Sequence, residues 1–126
     1  MSSQPINSID FFKSDILNIF FLNEGWFFDV SVINPEWGTK SLFSDITTNL
    51  LDQHGYILSD GSYDISNIVH LLNQALELMK RLTNNLTQIS DWFYQGTILS
   101  AKKELFTIWI EMNEFNHFTI LLPEDH

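Results

Sequence analysis

The clearest hydrophobic pattern in the chain is a stripe over residues 65–86. Apolar residues recur there at intervals of three and four, the spacing of one face of an α-helix. Asp64 or Ser66 can cap its start, and Glu77 precedes Arg81 by four residues, the favourable order for a helix ion pair. The pattern therefore predicts a helix whose inward face consists of Ile65, Ile68, Val69, Leu72, Leu76, Met79, Leu82 and Leu86.

Two further helices are predicted before this stripe. Residues 7–22 carry one, with Ser8 as a cap and Ile9, Phe12, Ile16, Ile19 and Phe20 inward. Residues 41–53 carry the other, with Leu42, Phe43, Ile46, Leu50 and Leu51 inward. Residues 26–33 alternate between apolar and polar side chains, which predicts an extended segment. The alternative for this region is a hairpin that turns at residues 23–25.

The last third of the chain has the pattern of a β-meander. Strands are predicted over 97–100, 105–112 and 118–122, because the run from Phe106 to Ile110 is rich in β-branched and aromatic residues. A helix over residues 99–116 is the alternative. Together these elements predict one domain, residues 1–126, of the α+β class. Three helices would pack on a small antiparallel C-terminal sheet, with an all-α bundle as the alternative.

The net charge says more about possible partners than any motif in the chain does. The 126 residues include 16 acidic and 6 basic side chains, a net charge of −10 at pH 7. Such an excess repels nucleic-acid phosphates and anionic membranes, and attracts basic partners. A hydrophobic content of 44% with eighteen aromatic residues predicts a packed core rather than a disordered acidic tail. The start of the chain has no signal-peptide pattern and no apolar run is long enough to span a bilayer, so we expect a cytoplasmic protein.

Candidate chemistry is sparse. Cysteine is absent, which excludes disulfides and thiolate metal sites. Nucleophile-elbow, phosphate-loop and dinucleotide-turn motifs are missing as well. Glu114 and His117 have the spacing of half a di-iron motif, without the second copy that such a site requires. Residues 60–71 resemble a calcium loop, but Ile65 and Leu71 stand where glycine and glutamate are needed. We expect a protein that is not an enzyme and that binds no cofactor or metal.

In its size, its acidity, its lack of cysteine and its Ile-, Asn- and Phe-rich composition, the chain resembles the small acidic immunity proteins of bacterial toxin–immunity pairs, including those of contact-dependent growth inhibition. The resemblance implies a protein that binds a basic toxin domain, commonly a nuclease, and blocks it. Carboxylates would take the place of nucleic-acid phosphates, and charge would speed association. The alternative is an acidic nucleic-acid mimic or adaptor module without catalysis.

The binding surface is predicted within residues 36–64, where acidic residues and aromatic residues share turn-rich loops. On a helix over 41–53, Asp45 and Asp52 would be seven residues apart and would project from one solvated face. Trp37 and Tyr63 are candidate anchors, since tryptophan and tyrosine are enriched in interface hot spots. The full predicted set is Glu36, Trp37, Asp45, Asp52, Asp60, Tyr63 and Asp64.

Overall fold

A computed structural model describes residues 27–33, 35–37, 40–83 and 91–126. Their elements, in chain order, are β1 (Phe27–Asp29), β2 (Glu36–Trp37), β3 (Lys40–Ser41), β4 (Phe43–Thr47), α1 (Thr48–Gln53), α2 (Ile65–Leu82), β5 (Phe93–Leu99), β6 (Leu105–Met112), β7 (Phe118–Leu121) and a 3-10 turn (Pro123–Asp125). Neither described helix is long and apolar enough to cross a membrane.

Five strands form one mixed sheet in the order β1-β4-β7-β6-β5. All neighbouring strands are antiparallel except β4 and β7, which run parallel. The short strands β2 and β3 form a separate antiparallel pair. The sheet thus joins a C-terminal meander to two strands from the N-terminal half of the chain.

The predicted C-terminal meander is confirmed, with its first strand over Phe93–Leu99 instead of the predicted 97–100, and the helical alternative for residues 99–116 is wrong. Along β6, Phe106, Ile108 and Ile110 are buried while Leu105 and Thr107 are exposed. This alternation places every second side chain against the core, as a strand with one buried face requires. Turns occur at the predicted places, after β5 and after β6.

The predicted long helix is also confirmed, with shorter bounds. It begins after Asp64, whose side chain accepts a hydrogen bond from the backbone N–H of Asn67, and ends at Leu82. Its two terminal apolar residues, Ile65 and Leu82, are about half exposed rather than inward. Leu86 lies outside the described residues. The buried face consists of Ile68, Leu71, Leu72, Ala75, Leu76, Leu78 and Met79.

A glycine brings this helix close to the edge strand of the sheet. A Cβ atom added to Gly96 would lie 2.5 Å from Cδ1 of Leu78. That distance is far below van der Waals contact, so only glycine fits without a shift of the neighbouring side chain. Gly96 therefore lies within β5, at the point where the helix packs directly on the strand.

The α+β class is confirmed, but the prediction of three helices on a small C-terminal sheet is wrong. The described residues contain two α-helices, and the sheet has five strands. The helix predicted over residues 7–22 lies outside the described residues. Residues 27–29 of the predicted extended segment form β1, whereas 31–33 form a turn.

The helix predicted over residues 41–53 is largely a strand. Residues 43–47 form β4, and only Thr48–Gln53 are helical. The cause is an irregularity at Ser44: Phe43 pairs with Phe118 but Asp45 pairs with Thr119, so one extra residue is inserted. Both Phe43 and Ile46 are therefore buried, three residues apart, which imitates helical spacing.

Candidate functional site

The register of the sheet separates an inner face from an outer face. One row across the strands contains Phe28, Ile46, Ile120, Ile110 and Tyr94, which belong to the core or pack against it. Adjacent residues on each strand point the opposite way. The neighbouring row, across the same strands, is Asp29, Asp45, Thr119, Glu111 and Phe93. We call the side that carries this second row the outer face.

Asp45 is the most constrained carboxylate of the outer face. Its Oδ1 accepts hydrogen bonds from the hydroxyls of Thr119, at 2.6 Å, and Ser44, at 3.3 Å. The side-chain amide of Asn113 donates to both of those hydroxyls. Burial raises the pKa of Asp45 and the charge of Asp29 adds to this rise, while the two hydrogen bonds oppose it. A basic group from a partner would relieve that unfavourable burial of charge.

Two adjoining depressions run along this face and share Phe27, Asn113 and Thr119. Together we call them the acidic groove. Its lining has no lysine or arginine among the described residues. It contains seven carboxylates, those of Asp29, Asp45, Asp52, Glu111, Glu114, Glu124 and Asp125.

The end of the chain forms one wall of the acidic groove. The carboxylate of Asp125 accepts hydrogen bonds from Thr47, at 2.6 Å, and Asn49, at 2.8 Å. His126 lies 2.9 Å from Glu111, a contact that becomes an ion pair when the imidazole is protonated. These contacts order the carboxylates before a partner arrives, which lowers the entropy lost on binding.

Aromatic rings continue the outer face beyond the groove. Ring centroids are 5.9 Å apart for Trp92 and Phe93, and 5.2 Å apart for Phe93 and Trp109. Trp109 also contacts His126, at 5.2 Å. Trp92 is 66% exposed. The outer face therefore offers carboxylates on one half and ring faces on the other, two features that an arginine guanidinium recognises.

The basic side chains that the structure describes lie elsewhere. Lys80 and Arg81 occupy the last turn of α2, and Lys102 and Lys103 occupy the turn after β5. None of the four lines the groove. In the part of the chain that the structure describes, the outer face thus gathers carboxylates while the basic side chains lie away from it, so charge is unevenly distributed over this part.

The structure brings together only part of the predicted binding surface. Asp45 and Asp52 both line the acidic groove, in adjoining depressions. Asp45 belongs to β4 and Asp52 to α1, so the prediction that both project from one helix face is wrong. The Tyr63 hydroxyl donates to Asp52 at 3.5 Å, and the Tyr63 ring packs edge-on against Phe28 at 4.8 Å.

The remaining predicted residues either have local roles or are described by their backbone alone. Asp60 accepts hydrogen bonds from the N–H and hydroxyl of Ser62 and shapes an exposed turn. Asp64 is the N-cap of α2. Glu36 and Trp37 form β2, of which the structure describes the backbone pairing with β3 alone.

Sequence reasoning did not select most of the acidic groove. Asp29, Glu111, Glu114, Glu124 and Asp125 all line it and lie outside residues 36–64. For Asp29 and Glu111 a signal was present, because each follows an inward apolar residue on a predicted strand. Glu114 lies in the turn between β6 and β7, and Glu124 and Asp125 lie in the 3-10 turn after β7. Their place in the groove depends on how these turns pack against the sheet, which no local pattern encodes.

Metal binding has no geometric support in the described ranges, where no three His, Asp or Glu side chains converge to hold an ion. His54 stacks on Phe106 at 3.9 Å and so contributes to packing at the end of the sheet.

In the comparisons with known proteins, no family model, no curated protein and no solved structure matches the chain.

Proposed function

We propose that this chain is a binding protein for a basic protein domain, and that it acts as the immunity protein of a basic toxin, with a nuclease as the expected toxin class. It works without catalysis, in the cytoplasm, by covering the surface that the toxin uses for its own substrate. The observation that carries the proposal is the acidic groove, where seven carboxylates are gathered and no lysine or arginine of the described residues is present.

The groove suits a basic partner in two ways. Its negative field attracts a positive surface over distances near the Debye length, about 10 Å at 0.1 M salt, and so speeds encounter. Once docked, arginine or lysine side chains pair with carboxylates such as Asp45, whose charge is unfavourably buried in the free protein. Specificity then comes from the spacing of the carboxylates and the adjoining rings.

Apolar contacts supply the affinity that surface charge alone does not. Exposed ion pairs contribute little, about 0–1 kcal/mol each. Phe27 is 45% exposed between the two depressions, and Phe115 is 72% exposed at the rim of one of them. We expect Phe27 to be the central anchor and Phe115 to contribute at the edge.

The direct test is inhibition. A panel of basic toxin nuclease domains is mixed with the purified chain, and residual cleavage of a nucleic-acid substrate is measured. One cognate domain should bind at nanomolar affinity and lose activity in a 1:1 complex, while the chain alone cleaves nothing. A chain that binds basic domains without inhibiting any of them would support the adaptor alternative instead.

A further inference from the structure

His126 lies in the acidic groove and contacts two different side chains of β6. Its Nε2 atom is 2.9 Å from Oε2 of Glu111, and its ring centroid is 5.2 Å from that of Trp109. The second distance lies within the range of about 6 Å over which a cation is attracted to an indole ring. When it is protonated, the imidazole is therefore a planar cation held by a carboxylate and an aromatic ring.

The position of this imidazole is fixed by the turn that precedes it. The backbone N–H of His126 donates to the carbonyl of Pro123 at 3.3 Å, at the end of the 3-10 turn. The neighbouring Asp125 accepts hydrogen bonds from Thr47 and Asn49, which ties the turn to β4 and α1. The imidazole itself is 56% exposed, so it can rotate out of the groove while the fold stays the same.

The charged side chains around the imidazole are acidic on every element that lines this depression. Glu111 comes from β6, Asp52 from α1, and Glu124 and Asp125 from the 3-10 turn. Among the described residues, no lysine or arginine lines it. Histidine gains its positive charge as pH falls from about 8 to 5. The contact between His126 and Glu111 therefore strengthens over this range.

We propose that His126 occupies, in the free protein, the place that an arginine of a basic partner takes on Glu111 and Trp109. The inference rests on the proposed function, which supplies that partner. A guanidinium shares the planar shape and delocalised charge of the protonated imidazole, and it pairs with carboxylates through two parallel hydrogen bonds. Such a pair needs both oxygens of Glu111. His126 must leave first, because its Nε2 atom lies against one of them.

The geometry favours arginine over lysine as the group that displaces His126. A lysine ammonium is a compact, strongly hydrated charge, whereas a guanidinium also packs its face on an aromatic ring. The side chain of Glu111 is only 27% exposed and has the indole of Trp109 on the same strand, two residues away. His126 thus has two effects: it keeps Glu111 in position, and it hinders the entry of an arginine. We call this an autoinhibitory contact, and it is strongest at low pH.

The test uses N-acetyl-arginine amide as the probe and N-acetyl-lysine amide for comparison. Binding is followed through the indole N–H resonance of Trp109 in isotope-labelled protein, which Trp109→Phe identifies. The unmodified protein should bind the arginine probe more weakly at about pH 6 than at about pH 8. His126→Ala should strengthen that binding about three- to fivefold at the lower pH, the effect of one partly exposed ion pair. The lysine probe should gain less than about twofold, because it needs only one oxygen of Glu111.

A permanent cation at the same position should have the opposite effect. His126→Arg should weaken the arginine probe about threefold or more at both pH values, because a guanidinium stays protonated. His70 is exposed on α2 and does not line the groove, so His70→Ala and His70→Arg are matched controls for charge. Both should change the affinity less than about twofold. Glu111→Gln should weaken the probe and cancel the gain from His126→Ala, as a direct coupling requires.

The probe needs no toxin, so its result is independent of the inhibition test. Predicted probe binding in a chain that inhibits no basic domain would contradict the proposed function and leave the arginine site in place. No response of the Trp109 resonance to the arginine probe overturns the inference. So does an unchanged affinity in His126→Ala at about pH 6, or an equal gain for the two probes, even in a chain that inhibits a toxin.

Discussion

The hydroxyl of Thr119 donates a 2.6 Å hydrogen bond to Oδ1 of Asp45, across the parallel pair formed by β7 and β4. The two residues are paired in register, so the bond follows from the topology of the sheet. It holds a half-buried carboxylate at the centre of the acidic groove. Burial raises the pKa of this group, and the bond from Thr119 only partly offsets that effect. The ionised carboxylate of Asp45 therefore lowers the stability of the folded protein.

The first prediction concerns the dependence of stability on pH. Because the pKa of Asp45 is higher in the folded than in the unfolded protein, the folded state binds more protons between the two values. The contribution of Asp45 to stability therefore rises as pH falls from neutral through its folded pKa. Asp45→Asn should raise the melting temperature at pH 7 by a few degrees, on the order of 1–4 °C. The difference from the unmodified protein should disappear near pH 4.

Asp60→Asn is the matched control for this experiment. Hydrogen bonds from Ser62 lower the pKa of Asp60, so this carboxylate contributes stability above its unfolded pKa and loses it as pH falls. The variant should not raise the melting temperature at pH 7. Equal upward shifts for both variants would mean that the relief of general acidic repulsion, rather than the burial of Asp45, explains the effect.

The second prediction concerns the close approach of Gly96 and Leu78. Gly96→Ala forces a methyl group against a buried leucine and should reduce the free energy of unfolding by about 1–3 kcal/mol. Leu78→Ala alone removes core contacts and should cost about 2–5 kcal/mol. In the double variant the new methyl has room, so the combined loss measured by urea denaturation should be smaller than the sum. Additive losses would contradict direct contact as the cause.

The third prediction tests the inner face of α2. Leu72 is fully buried, so Leu72→Ala should reduce the free energy of unfolding by about 2–5 kcal/mol. Leu76, which is 8% exposed, should behave similarly. Leu82→Ala removes the same atoms from a residue that is 49% exposed and should cost less than about 1 kcal/mol. Losses below about 1 kcal/mol at both Leu72 and Leu76 would show that this face is not the core.

The elements that could be predicted are those whose local pattern and tertiary role agree. The stripe of α2 and the alternation of β6 both identify the buried side correctly, because each element has one apolar face. The strand β4 could not be predicted in this way. Its extra residue at Ser44 alters the spacing of Phe43 and Ile46, and its parallel pairing with β7 joins segments more than seventy residues apart.

The candidate site, too, could be predicted only in part. Asp45 and Asp52 were selected from charge within a turn-rich region, and both line the groove. Asp60 and Asp64 were selected on the same grounds but act in a turn and a helix cap. A carboxylate in a turn has two uses, local hydrogen bonding or contact with a partner, and sequence spacing does not distinguish them.

The last prediction locates the partner surface by charge reversal. Asp29 and Asp52 are exposed and line the acidic groove, whereas Glu77 is exposed on α2 and pairs with Lys80. Asp29→Lys and Asp52→Lys should each slow association with a basic cognate domain at least tenfold at about 50 mM salt, because the groove steers encounter. Glu77→Lys makes the same change in net charge and should slow association less than twofold. The difference should shrink as salt rises toward about 0.5 M, where the Debye length falls to roughly 4 Å. The association rates are measured by stopped-flow mixing. Thermal melts of the free variants identify any loss of folding. Asp64→Lys is unsuitable as a probe because it removes a helix cap. If the two groove variants and Glu77→Lys slow association equally, only net charge matters and the acidic groove is not the docking surface.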